Sequence, residues 1–154
     1  MLTDTIIREI ELKIGRAQNP HHVCIDALLV VKKHCRWVSD EQIRDLARVL
    51  HMTPEEVDAV ATFYNHIYRQ PVGRHVILLC DSVSCWIMGY QSVAEYLSDR
   101  LGIGFGQTTS DGRFTMLPIQ CLGVCEQAPA MMIDDDLHVK LDPGSMDRIL
   151  ETYP

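Results

Sequence analysis

The sequence predicts an α+β or α/β protein, with an N-terminal helical bundle over residues 1–70 and a small mixed helix-and-sheet domain over residues 71–154. Three observations predict it. Apolar residues recur at helical spacing through the first part, with capping signals between the runs. Pro71 and Gly73 interrupt that pattern. Beyond them, short apolar runs alternate with helical segments, which is the order that packs helices on a sheet.

The elements follow in turn. Ile6, Ile7, Ile10, Ile14 and Ala17 lie on one helical face, and Asn19-Pro20 ends it, because the residue before proline avoids the α region. A second helix is expected from about His22 to Cys35, with Val23, Ala27, Leu28 and Val31 inward. Ser39 and Gln42 fit a capping box ahead of Ile43, Leu46, Ala47 and Leu50. Thr53, Pro54 and Glu56 supply N-cap, N1 and N3 of a fourth helix, whose stripe is Val57, Val60, Ala61 and Tyr64. In the second part, His75–Cys80 reads as a buried strand and Tyr90–Leu101 as a helix, with Gly102 as its terminator and a loop before it. Asp111-Gly112 marks a tight turn before a strand near 113–120. Ala130–Ile133 and Leu137–Leu141 are two further strands, and Asp142-Pro143 opens a last helix. The order is β-α-β-β-β-α, or β-α-β-β-α if the strand around Asp111 is short, and it fits a thioredoxin-like sheet.

Charge narrows the function. Residues 1–70 hold nine Lys/Arg against ten Asp/Glu, and residues 71–154 hold five against eleven. An acidic chain without a basic run is poorly suited to phosphate backbones or anionic membranes, so no nucleic-acid partner is expected. No run approaches the ~20 apolar residues that cross a bilayer, so no membrane insertion is expected. The amphipathic start, MLTDTIIREIELKIG, lacks the basic and apolar regions of a secretion signal. The six cysteines are therefore read for a reducing cytoplasm, where spaced cysteines bind metal or do redox chemistry more often than they form disulfides.

Four cysteines lie in the second part as two pairs. Four residues separate Cys80 from Cys85, and three separate Cys121 from Cys125. Each pair falls at the end of an expected strand, so two loops can face one another and offer four thiolates. A 2Fe–2S cluster takes four thiolates, two per iron. Structural zinc takes four as well, with similar gaps. A thiol–disulfide enzyme is a further reading, although the C-x-x-C pair it favours is absent. Spacing leaves these readings open. Gly123 and Gly89 could bring backbone N–H groups to sulfur or simply serve as turn glycines, and Ser82 and Ser84 could offer hydroxyls. Pro129, in Ala128-Pro129-Ala130, reads as an ordinary trans turn, with a cis bend that positions the site as the other reading. Cys24 and Cys35 fall roughly 16 Å apart on one helix, too far to share a metal or a disulfide, and read as buried structural thiols. The histidines His21, His22, His34, His51 and His66 make no i, i+4 pair on one helix and read as surface or cap positions. The glycines of Gly102-Ile103-Gly104-Phe105-Gly106 follow a helix rather than a strand, so they read as a loop and not as a dinucleotide fingerprint.

The pattern Cys80-x4-Cys85 with Cys121-Leu122-Gly123-x-Cys125 closely resembles one family. So do the upstream Ala61-Thr62-Phe63-Tyr64 and Pro71-Val72-Gly73, and the stretch Gly106-Gln107-Thr108-Thr109-x-Asp111-Gly112-Arg113-Phe114. That family is the thioredoxin-like 2Fe–2S subunit of NADH-quinone oxidoreductase, the E subunit of respiratory complex I in bacteria. Related subunits serve NAD-reducing hydrogenases and NAD-linked formate dehydrogenases. The resemblance implies a thioredoxin-like 2Fe–2S ferredoxin domain and one cluster bound by Cys80, Cys85, Cys121 and Cys125. It implies an electron-transfer role beside a flavin-binding, NADH-oxidising partner, with FMN and NADH held there and no activity in the isolated chain. It also implies a place on the cytoplasmic face of the inner membrane through the complex. Trp86 departs from the polar residue that several relatives carry there. The near-neutral N-terminal helices are expected to form the docking surface. The acidity of residues 71–154 is expected to hold the potential low, nearer ~ −400 mV than the Rieske range.

Overall fold

The computed structural model describes residues 1–154, which divide into two compact units, Met1–Pro71 and Val72–Pro154. The first unit holds four helices: α1 (Asp4–Ile14), α2 (Cys24–Cys35), α3 (Asp40–Leu50) and α4 (Pro54–Phe63). A 3₁₀ turn over Pro20–Val23 feeds α2, so the second helix starts later than its periodicity predicts. Asn19 causes the difference: its side chain accepts from His21 N–H and holds a tighter first turn. Both expected capping boxes are present, Ser39 with Gln42 and Thr53 with Glu56. The core of this unit is aliphatic. Ile6, Ile10, Leu28, Leu46, Leu50 and Val57 meet at its centre. Tyr64, expected on the apolar stripe of α4, instead lies past its end and is 40% exposed. Its backbone has already turned extended there.

Arg69 ties this unit together. Its guanidinium donates to Asp58 at 2.7 Å, to Asp40 at 2.6 Å and to the Val38 carbonyl. Asp40 opens α3 and Asp58 lies on α4, so one side chain fastens two helices and a loop. Arg69→Leu removes these charge-assisted bonds and leaves a half-buried carbonyl without its donor. The expected loss is about 1–3 kcal/mol, read as a lower urea midpoint at unchanged slope.

The second unit is α/β. Its elements are β1 (His75–Cys80), α5 (Val83–Ile87), α6 (Tyr90–Leu101), β2 (Phe114–Ile119), β3 (Met131–Ile133), β4 (Asp136–His138) and α7 (Pro143–Glu151). The sheet order is β2-β1-β3-β4, with β1 and β2 parallel and the other two pairings antiparallel. Central β1 is buried from Val76 to Cys80, which explains its unbroken apolar run. Ile77 and Leu79 pack with Phe114, Met116 and Met131 from the sheet and with Val93, Leu97, Met146 and Leu150 from α6 and α7. The expected strand at 137–141 runs instead over Asp136–His138: Asp136 already pairs with Ile133, and Lys140, at positive φ, lies outside the ladder. Gly73 enters β1 against the Asp111-Gly112 turn. A Cβ there would stand 3.0 Å from both the Gly112 and Arg113 carbonyls, while Gly73 N–H donates to buried Thr115 at 2.7 Å. No helix is long and apolar enough to cross a membrane.

Candidate metal centre

Cys80 is the last residue of β1, and Cys121 follows β2 by two positions. The strands are parallel, with Cys80 opposite Ile119, so their carboxyl ends open at one edge of the sheet. That edge is where loops of α/β sheets gather ligands. Asp81 N–H donates to the Ile119 carbonyl at 3.0 Å and carries the pairing one residue beyond the ladder.

The expected plain loop between Cys80 and Tyr90 contains a helix. Val83–Ile87 forms α5, too short for its apolar residues to display a period. It turns Cys85 inward, to 3% exposure, and leaves Val83, Trp86 and Ile87 in solvent. Cys125 opens a 3₁₀ turn, Cys125–Gln127, which lies against α5. The two cysteine loops therefore meet.

The four thiols interact. Cys121 and Cys125 Sγ stand 3.9 Å apart. The Cys85 thiol, besides its burial, is hydrogen-bonded to Cys80 and receives the Ala130 backbone N–H. The Ala130 carbonyl in turn accepts from Cys80 N–H at 3.1 Å, so one residue holds both members of the first pair. Burial, with the neighbouring Cys80 thiol, pushes the Cys85 thiol up to about 11. Cys121 moves the opposite way. Gly123 N–H donates to its sulfur at 3.3 Å, and Cys125, Ser82 and Cys80 add further hydrogen bonds that hold its thiol below the usual range. Gly123 reaches this geometry at φ +79°, a conformation that side chains disfavour.

The donor set suits a binuclear centre. Two sulfurs on one tetrahedral metal with bonds of ~2.3 Å lie roughly 3.8 Å apart, close to the Cys121–Cys125 separation. Two pairs facing across one edge match a core in which each iron takes two thiolates.

Several expectations change here. Of the two glycines, Gly123 reaches sulfur, whereas Gly89 is the left-handed N-cap of α6. Ser82 is the serine whose hydroxyl reaches sulfur. The Ala128-Pro129 bond is cis rather than trans, the second of the two readings. Cys24 is buried as expected, but Cys35 is only half-buried and accepts from Gln42 Nε2 at 3.1 Å. No local pattern marks the Ala130 bridge in advance. Nor does one reveal that Asp81 Oδ1 is buried without a hydrogen-bond partner beside Cys80.

A profile of the family described as thioredoxin-like [2Fe-2S] ferredoxin matches residues 10–154. This chain belongs to that family. The chain is 46% identical over 153 residues to the NADH-quinone oxidoreductase E subunit of Pseudomonas aeruginosa, covering 99% of this chain and 92% of the relative. The Escherichia coli protein of the same name is 49% identical over 144 residues, covering 94% and 87%. Among solved structures, NAD+-reducing [NiFe]-hydrogenase in the H2-reduced state is similar at 26% identity and a TM-score of 0.69. That match covers 82% of this chain but only 22% of the hydrogenase chain.

Proposed function

We propose that this protein is the electron-transfer subunit of an NADH-quinone oxidoreductase, with one 2Fe–2S cluster bound by Cys80, Cys85, Cys121 and Cys125. The observation that carries the site is the meeting of two cysteine pairs at the carboxyl ends of β1 and β2. The near full-length similarity to the E subunits of two bacteria supports the parent complex. A 2Fe–2S group bound there supplies reversible one-electron chemistry. The chain's own residues would hold it, donate N–H bonds from Gly123 and Ala130, and screen its inner side with β1 and α5.

The two compact units are read as separate domains, 1–70 helical and 71–154 cluster-binding. The partner is read as a flavin-binding, NADH-oxidising subunit. Exposed apolar side chains support a multi-subunit setting: Val83 (74%), Ile87 (76%) and Met88 (60%) beside the site, and Phe63 (78%) on the helical unit. Attachment to the cytoplasmic face of the inner membrane would come through that complex. A tagged chain purified from its own cells should retrieve a flavin-containing, NADH-oxidising subunit. Ile87→Asp should reduce that yield. Recovery with a nickel-containing subunit would favour the second reading, the equivalent subunit of an NAD-reducing hydrogenase, which the hydrogenase likeness supports.

Asp81 provides a test of tuning. A carboxylate beside a group that gains an electron disfavours reduction, and partial burial weakens solvent screening. Asp81→Asn should raise the midpoint potential in a redox titration followed by EPR. An unchanged or lower potential would show that Asp81 does not act on the centre.

A further inference from the structure

The two cysteine pairs differ in access. Cys80 and Cys85 are 2% and 3% exposed, enclosed by β1, α5 and the Ala130 backbone. Cys121 and Cys125 are both exposed. They already stand 3.9 Å apart, with Gly123 N–H on Cys121, so a tetrahedral metal can be met without rearranging either thiol. Resting on the cluster reading above, we infer that the site loads in a fixed order, with Cys121 and Cys125 capturing the cluster from a thiolate-bound donor and Cys80 and Cys85 closing on it afterwards.

The chemistry is ligand exchange without change of oxidation state. Each thiol of this chain gives its proton to a departing donor thiolate and takes that thiolate's place on iron. Four exchanges move the 2Fe–2S core and release four donor thiols. The first two occur at the surface, where a donor can approach closely. The last two need the core to move against α5, which an outside donor cannot reach while Cys85 is enclosed. Exchange of thiolates at a centre depends on access as much as on intrinsic reactivity.

The experiment uses the full-length cluster-free chain and a 2Fe–2S core held by four glutathione thiolates, mixed anaerobically and followed by visible circular dichroism. Cys80→Ser/Cys85→Ser should keep the capture phase within about twofold of wild type while releasing only half the glutathione. Cys121→Ser/Cys125→Ser should slow capture at least tenfold. Both variants lack two ligands, so a general loss of affinity would slow them alike, and equal slowing overturns the order. Wild-type chain provides a second readout independent of variant folding. Glutathione release during loading should come in two phases of two thiols each, the first together with the capture phase and the second after it. Release of all four thiols in one phase overturns the inference. Failure of the wild-type chain to take up the cluster at all would instead overturn the cluster reading.

Discussion

Cys80→Ser, Cys85→Ser, Cys121→Ser and Cys125→Ser each weaken or abolish the visible absorption of the anaerobically purified protein, whereas Cys24→Ser and Cys35→Ser retain it. The expectation follows from position. Cys80 and Cys85 face each other at the end of β1 and share Ala130, and Cys121 and Cys125 form the opposing pair. A serine hydroxyl ionises far less readily than a thiol and is a poorer ligand for iron. The effect is largest at the enclosed pair, because water cannot easily replace a lost ligand there. Cys24 is buried in the core of the helical unit, and Cys35 accepts from Gln42 in that same unit. Loss of colour in Cys24→Ser equal to that in Cys80→Ser would refute the ligand assignment.

Phe114→Ala has the next largest effect, a loss of about 3–5 kcal/mol in unfolding free energy by the usual cost of deleting a buried aromatic. Phe114 is 2% exposed at the start of β2, packed with Ile77 and Leu79 of β1. Its ring also lies under the Arg113 guanidinium, 4.7 Å from the centroid. Against a typical total of about 5–15 kcal/mol, such a loss unfolds a sizeable fraction of chains at modest denaturant. β1, which ends in Cys80, and β2, which leads into Cys121, are paired through this residue's register with His75, so cluster retention should fall along with stability. Phe63→Ala, at a 78% exposed position, should move the denaturation midpoint little. Matching losses from the two substitutions would mean that the β1–β2 core is not the stabilising centre of its unit.

Much of this fold was legible because its signals are local. Capping boxes at Ser39 and Thr53 depend on side chains three residues apart, and the Asp142-Pro143 start of α7 is equally short-range. The buried run His75–Cys80 reads as a central strand because both faces are covered. The cysteine spacing likewise exposed the ligand candidates, and the family resemblance supplied the choice among metals. What escaped was set by tertiary contact or by very short elements. Five residues cannot display a helical period, so α5 read as loop, and with it went the inward turn of Cys85. The Ala130 bridge joins residues forty-five to fifty positions apart and leaves no trace in composition. Gly89 and Gly123 look alike as letters, yet one caps a helix and the other aims its N–H at sulfur. Asp81 reads as an ordinary residue after a strand, and only packing shows its buried, unpartnered oxygen.

The central claim is that two pairs of thiolates hold a binuclear iron centre. Iron and acid-labile sulfide analysis of anaerobically purified protein, with an EPR spectrum after dithionite reduction, tests it most directly. The expected result is two irons and two sulfides per chain, in keeping with the [2Fe-2S] family, and a paramagnetic signal on reduction. One zinc per chain with no sulfide and no signal would contradict it.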